Sequence, residues 1–398
     1  MEADARVEVI QALIPLALMH VEEELQAEVE RLVGPRYGRG EDDAGLVRWG
    51  RQRGSVFLQD QKVPVMVPRV RDRREGQEVS LAVYRSLQAP RQMDRTLMLR
   101  VLRGLSCRSY EETAAAVPEA LGLSPSTVSR RFIKATARKL REMMERDLSG
   151  HDFVALVMDG KGFGRDSEMV TALGITLAGK KVVLGFIETA TENERVCSEF
   201  LRSLVDRGLA CEKGLLVVLD GAKGLRKAVK RVFGGCALVQ RCQWHKRENV
   251  VGYLPKSRRP AMRRQLQRAY KQPLWEDAKA ALLGLKKELA LQNQSAARSL
   301  EEGLEETLTL HRLGLFEELG TSLKTTNTIE SLHSLLGSRT DKVDRWRNSN
   351  QRQRWVAAAL LDMEPGLRRI KGCHHLPALR YAIQADLNLV KQPTLKSA

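Results

Sequence analysis

The chain has 398 residues, with 66 Lys and Arg against 49 Asp and Glu, a formal net charge of +17. That length predicts several domains rather than one small core, and the positive excess predicts a polyanionic partner, nucleic acid or an anionic membrane surface. The membrane reading is weak: no apolar run approaches the roughly 20 residues of a span, and the start Met1-Glu2-Ala3-Asp4 lacks a secretory pattern. Six cysteines without a small-scaffold spacing fit free thiols in a reducing cytoplasm.

In chain order, residues 5–33 set Val9, Leu13, Leu16, Val21, Leu25, Val29 and Leu32 at helical spacing and stop at Gly34-Pro35. This predicts an amphipathic partner or interface helix. Residues 46–74 alternate like strands in Ser55–Leu58 and Lys62–Pro68, then carry Arg69, Arg71, Arg73 and Arg74. A small β element with a basic tail is expected, its second strand an edge because of Pro64 and Pro68. Residues 92–146 read as helical throughout. Within them Ser109–Val117, a turn through Gly122, and Ser124–Phe132 read as helix-turn-helix, with Ser124 as N-cap and Pro125 at the first helical position. Ser126, Thr127, Ser129, Arg130 and Arg131 are then what a recognition helix presents to a DNA groove. Capped helix pairs are also common in proteins that bind nothing.

From residue 151 the pattern becomes α/β. Strands are expected at Phe153–Asp159, Met169–Leu177, Lys181–Glu188, Gly214–Asp220 and Ala237–Arg241, and helices at Asn193–Asp206 and Ala222–Phe233. Three strands in succession followed by helix, strand and helix predict a mixed sheet rather than a doubly wound one. Residues 254–320 revert to a helical composition. There Lys256, Arg258, Arg259, Arg263, Arg264, Arg268 and Lys271 follow one another with no acid between them, which favours phosphate contact over a solvated face.

Two apolar runs end alike, Leu-Val-Met-Asp-Gly at 156–160 and Val-Val-Leu-Asp-Gly at 217–221. Buried parallel strands read as such runs, and open α/β sheets place ligands at strand carboxyl ends. Two carboxylates side by side there repel, and a hard divalent cation stabilises the pair; alternatively, Asp-Gly merely starts a turn. Further on, Thr325-Thr326-Asn327-Thr328-Ile329-Glu330-Ser331 reads locally as a capping box, Asn327 the N-cap and Glu330 its partner three residues later. The paired aspartates and the string Arg241-Cys242-Gln243-Trp244-His245 give Glu330 a second reading, as a third oxygen donor.

Together these motifs (Met-Asp-Gly at 158–160, Leu-Asp-Gly at 219–221, Cys-x-x-His at 242–245, Asn-x-x-Glu-Ser at 327–331) resemble the bacterial insertion-sequence transposases of the mutator-like superfamily. Arg48-Trp49-Gly50, Gly54-Ser55-Val56 and the run from Lys62 to Asp72 resemble that family's amino-terminal segment. The resemblance spans nearly the whole chain. It implies an α/β fold with a ribonuclease H-like mixed sheet, interrupted by an all-helical insertion and preceded by helical and helix-turn-helix DNA-binding regions. The expected divisions are a helical segment at 1–40, a basic β element at 41–90 and a helix-turn-helix domain at 91–150. The first part of the catalytic core follows at 151–250, the helical insertion at 251–322, and the second part with the C-terminal helices at 323–398.

The likeness implies Asp159, Asp220 and Glu330 as catalytic and metal-binding carboxylates of a DDE recombinase. The long stretch between Asp220 and Glu330 leaves room for the insertion. Three carboxylates supply oxygens for two magnesium ions, with manganese an alternative, and such a pair supports in-line displacement at phosphorus. The expected reaction is hydrolysis at the element end, then attack of the freed 3′-hydroxyl on target DNA. Terminal inverted repeats and target duplex are the expected partners of a homodimer or larger assembly, with no membrane role and a place in the bacterial cytoplasm at the nucleoid.

The resemblance puts Cys242 and His245 near the active site; there His245 could contact a scissile phosphate or a displaced base, and Trp244 could stack on an unpaired base. Core roles are the plainer reading for all three. Zinc is not expected, because Cys373, His374 and His375 are the remaining ligand candidates and their spacing is arbitrary. Arg339, Lys342, Arg345, Trp346, Arg347, Arg352, Arg354 and Trp355 would steer DNA from the last helix, or else form a salt-bridged surface with Asp341 and Asp344. Three rival readings remain: a non-catalytic transposase-derived DNA-binding protein, a ribonuclease H-like nuclease without strand transfer, and a tyrosine recombinase using Tyr253 or Tyr270.

Overall fold

A computed structural model describes residues 2–36, 45–58, 61–88, 91–105, 124–163, 167–189 and 193–389. The chain divides into two compact units, Met1–Arg138 and Lys139–Ala398.

The first unit begins with helix α1 (Glu2–Val33), which stops where Gly34 takes a positive φ of 82°. A three-stranded antiparallel sheet follows, in the order β1 (Leu46–Leu58), β2 (Gln61–Asp72), β3 (Glu78–Val79). Val21, Leu25 and Val29 of α1 share a core with Val56, Val67 and Val70. The described part of the stripe expected to seek a partner, from Val21 onward, is therefore buried on the unit's own sheet. The strand carrying Pro64 and Pro68 is central in strand order, contrary to expectation, but β3 pairs with it only at Val70 and Arg71. Over the prolines β1 alone is aligned with β2, so the rule against proline in a doubly paired strand is kept. Helices α2 (Ala82–Gln88), α3 (Arg91–Leu102) and α4 (Pro125–Met144) follow. The first half of the expected helix-turn-helix, Ser109–Val117, lies outside the described residues. Its second half is α4, where Ser124 Oγ accepts from the Thr127 backbone N–H at 3.4 Å, the expected cap.

The second unit is built on a five-stranded mixed sheet of β4 (Phe153–Gly162), β5 (Glu168–Thr176), β6 (Lys181–Thr189), β7 (Leu215–Leu219) and β8 (Ala237–Arg241). Their order is β6-β5-β4-β7-β8; the first three pair antiparallel, and β4, β7 and β8 run parallel. Successive side chains of β4 point to opposite faces. Leu156 and Met158 pack with helices α5 (Glu194–Asp206) and α6 (Lys223–Phe233) through Leu204, Leu225 and Val229. Ala155 and Val157 face the other way, sharing a core with Ile329, Leu336, Val356 and Ile383.

Between β8 and that last group lies the expected helical block. Helices α7 (Gln243–Gly252), α8 (Arg259–Tyr270), α9 (Trp275–Gln292) and α10 (Gln294–Glu301) close around their own core of Val250, Leu266, Leu282, Leu289 and Leu300. Short helices α11 (Leu304–Thr307), α12 (Thr309–Arg312) and α13 (Phe316–Leu323) lead back to α14 (Asn327–Thr340), α15 (Ser349–Met363) and α16 (Leu376–Asp386) on the sheet. A buried polar seam fastens the block to the end of β8. The Gln240 amide donates to Thr307 O and accepts from Leu310 N, both at 2.9 Å. Arg241 donates to Glu302 O at 2.9 Å, and Lys246 to Ser299 O and Glu302 O. Burial lowers the Lys246 ammonium to about 8, a cost these carbonyl bonds offset.

Candidate active site

The β4–β7 ladder pairs Ala155 with Leu216, Leu156 with Val217 and Val157 with Val218. Two residues beyond that last pair stand Asp159 and Asp220, on neighbouring chains whose strands lie roughly 5 Å apart. Unlike the expected strand end, β4 continues to Gly162 against β5. Only on the β7 side does pairing stop short of Asp159. Asp159 is 8% exposed, and its odd position directs it to the face that α14 covers.

Asp220 starts the turn that one of its two readings expects. Its Oδ1 accepts the Ala222 N–H at 2.8 Å, as an Asp-Gly turn requires, which leaves Oδ2 for other work. Gly221 takes φ +108°, and a Cβ there would lie 2.0 Å from Arg241 Nε, so the glycine is doubly required.

Glu330 sits in the first turn of α14 and faces inward, accepting from Thr326 Oγ1 at 2.7 Å. The capping-box reading is corrected here: Asn327 is itself helical, and Thr326 occupies the N-cap position without a side-chain capping bond. Its hydroxyl is spent on Glu330 instead. The gathering of acids registers at Asp159, whose carboxyl is pushed up to about 7, first by burial and then by the charge of Asp220, with Glu330 adding and His245 opposing.

Cys242 extends the β7–β8 ladder through its N–H to Leu219 O at 2.8 Å and is fully buried. His245 lies in the first turn of α7, with Nδ1 3.3 Å from Thr326 Oγ1, which is also 3.5 Å from Cys242 Sγ. Burial opposes charge on both groups, but their mutual hydrogen bond overcomes it. The thiol is lowered, and the imidazole, also drawn by Asp159 and Asp220, is raised to about 9. His245 is therefore cationic near neutral pH, beside the carboxylates. Trp244 is 43% exposed and meets the His245 ring edge-on at 4.7 Å, so it is not core packing.

Ligand atoms of Cys242, His245 and Glu330 lie within 4.8 Å of one another, one potential metal site. Among the described residues, Cys373, His374 and His375 do not join them. Among the described residues Asp159 and Asp220 are not part of that close group; their oxygens, with those of Glu330, are of the kind a hard divalent cation takes, and a carboxyl raised by burial and then by Asp220 is what a nearby cation relieves.

Four contributors escaped the sequence reading. Thr326, fully buried, ties Glu330 to His245. His333 Nδ1 lies 3.7 Å from Asp159 Oδ2, and burial, then Lys161, lowers the imidazole to about 4, so it is neutral. Lys161 reaches over to donate to His333 O at 3.2 Å. Glu168, raised by burial and by the charge of Asp220, is a further acid within electrostatic reach. The Glu330–His333 spacing of one helical turn was a signal available in the sequence.

The candidate DNA contacts divide. In α4, Ser126 and Arg130 are exposed and Thr127 and Ser129 half-buried, while Arg131 lies over the Phe57 ring at 4.9 Å. In the helical block Lys256, Arg258, Arg264, Arg268 and Lys271 are exposed. Arg263 instead forks onto Glu248 at 2.7 Å, and Arg259 donates to Leu254 O and Gly252 O. Arg339 bridges to Asp362 at 3.4 Å rather than to Asp341 or Asp344. Arg345 and Arg347 are exposed but lie between α14 and α15, not on the last helix. Tyr270 is buried, unsuited to the exposed nucleophile of a tyrosine recombinase.

A family model described as Transposase, Mutator family matches residues 2–368. The chain is 29% identical over 293 residues to the transposase for insertion sequence element IS6120 of Mycolicibacterium smegmatis, covering 72% of this chain and 88% of that one. It is 26% identical to the ISRM5 transposase of Rhizobium meliloti, over 95% of this chain and 92% of that one. Against the IS256 transposase in transposon Tn4001 of Staphylococcus aureus the identity is 27%, over 75% and 76%.

Proposed function

The chain belongs to the Mutator family of transposases, and from that premise we propose a DDE transposase that cuts and joins the ends of its own insertion sequence. The sheet, three antiparallel strands continued by two parallel ones, is read as ribonuclease H-like, with the helical block as its insertion. The reading rests on one observation above others: Asp159 and Asp220 stand at matching positions two residues past the last β4–β7 pair, and α14, which carries Glu330, covers the face to which Asp159 points.

Asp159, Asp220 and Glu330 would hold two magnesium or manganese ions. Bound there, the ions would lower the pKa of an attacking water and neutralise charge on the phosphate. Thr326 fixes the Glu330 carboxylate by a short charge-assisted bond. His245, cationic and next to the carboxylates, donates to a phosphate oxygen of the scissile group. His333 stays neutral beside Asp159, so no ion pair competes with a bound cation for that carboxylate. In the first step water adds to phosphorus and the 3′-oxygen leaves as the element's 3′-hydroxyl. In the second step this hydroxyl attacks a target phosphodiester, and a target 3′-oxygen departs. No covalent link to the protein forms.

Helix α4 and the exposed cations of the helical block carry the duplex, in the manner of phosphate contacts that hold DNA in register. The test is incubation of the protein with labelled DNA carrying the element's terminal inverted repeat, with Mg2+ or with EDTA. The proposal expects Mg2+-dependent nicking followed by joined products. Nicking without joining would leave a nuclease; a protein–DNA adduct, or equal cleavage in EDTA, would contradict the proposal.

A further inference from the structure

One cavity beside the carboxylates is not used by the chemistry above. Its volume is about 200 Å3, and its walls include Trp244, Arg247, Tyr270, Lys271, Lys324 and Asn327. Trp244 adjoins His245 in sequence, while Thr325 and Asn327 flank Thr326, whose hydroxyl binds Glu330. The cavity is therefore one residue removed from the catalytic cluster on two sides.

Three cations and no acid line it. Arg247 is partly occupied by Glu248 at 3.2 Å, but Lys271 is exposed and Lys324 half-buried at the rim. Lys324 is lowered by burial and by the charge of Lys271, a repulsion that an anion between them would relieve. Asn327 adds an exposed amide at the start of the 14-residue helix α14, whose end also favours negative charge. A free anion would need only the lysines. The exposed indole of Trp244 adds a stacking surface, and the amide adds hydrogen bonds to a base edge. The space is below the roughly 300–1,000 Å3 of drug-sized sites, so it admits one base and not a base pair.

We propose that this cavity receives a single unpaired nucleotide of the DNA end, its base against Trp244 and its phosphate between Lys271 and Lys324. It would draw a terminal nucleotide out of the duplex at a cost of a few kcal/mol in unstacking, and so hold the end open beside Asp159, Asp220 and Glu330. This inference rests on the proposed reaction at those carboxylates, since it assigns the cavity to the same DNA end.

The probe is a duplex bearing one unpaired 3′-terminal 2-aminopurine, compared with the same duplex fully paired, using the full-length protein. The expected result is quenching of the unpaired probe that Trp244→Ala abolishes and Trp244→Phe largely keeps. Lys324→Ala should weaken binding of the overhang duplex about tenfold, within the range stacking and phosphate contacts give, and leave the paired duplex unchanged. Asp159→Asn should keep the quenching while losing cleavage. Quenching that survives Trp244→Ala, or equal weakening for both duplexes, would overturn the cavity assignment in an enzyme that still cleaves. Cleavage by Asp159→Asn with quenching intact would overturn the carboxylate reading instead.

Discussion

Thr326 has one proton and three neighbours. A hydroxyl donates once and accepts twice, so the 2.7 Å contact to Glu330 takes the proton and the 3.3 Å contact to His245 is accepted from the ring. The 3.5 Å contact to the Cys242 sulfur competes for that same proton as the longer, weaker acceptor. Thr326→Val keeps the shape and removes the donor; single-turnover cleavage should fall about tenfold, equivalent to about 1.4 kcal/mol, while Thr326→Ser retains most of it. Asp159 gives a second, opposite signature. Its carboxyl rises from near 3.8 unfolded to about 7 folded, so between those values the native state binds more protons than the unfolded one. Metal-free stability therefore falls as pH rises through that window. At pH 8 in EDTA, Asp159→Asn should melt higher than wild type by a few degrees, on the order of 2 kcal/mol. The gap should narrow as pH falls below about 7 and close near the unfolded value of 3.8. An unchanged or lower melting temperature at pH 8 would show that the carboxylate is not destabilised by its neighbours.

At the scale of elements, the strands of the second unit were legible because they are buried on both faces and read as unbroken apolar runs. Ala237–Arg241 matches residue for residue, and the other four differ only at their ends. What could not be read is which side of a strand is paired: Asp159 lies inside β4 with respect to β5 but past the pairing with β7. Likewise Asn327 and Thr326 offer equivalent capping chemistry in sequence, and only the position of Glu330 decides which hydroxyl or amide is diverted. His333 and Trp244 were ambiguous for a related reason, since a lone histidine or tryptophan does not announce its burial. The Asp220–Gly221 turn supplies the prediction at this scale. Gly221→Ala combines a positive φ with a clash on Arg241 and should cost about 2–3 kcal/mol, a melting decrease of roughly 5–10 °C. Adding Arg241→Ala should remove the steric share but not the backbone share, a coupling visible in a double-mutant cycle.

For the whole molecule, the net charge of +17 predicts a polyanionic partner, and the chain belongs to the Mutator family of transposases. Charge alone did not reveal which cations are already committed inside the fold. Arg263, Arg259, Arg131 and Arg339 each have an internal partner, whereas Arg264 and Arg268 are exposed on α8. Affinity for duplex DNA should fall steeply and linearly in log[salt], and Arg264→Ala with Arg268→Ala should reduce that slope by about 2. A slope equal to wild type would remove α8 from the DNA path. The helical block was legible as composition, but its attachment to β8 through Gln240 and Arg241 was not, because buried polar residues bonding backbone carbonyls leave no periodic trace.

The most direct measurement is single-turnover cleavage of inverted-repeat DNA in Mg2+ by Asp159→Asn, Asp220→Asn, Glu330→Gln and the triple variant. Groups that act as one unit are not additive, so each single change should abolish cleavage as completely as all three, with duplex binding retained. A single variant that cleaves at the wild-type rate, or losses that multiply independently toward the triple, would contradict one shared metal site.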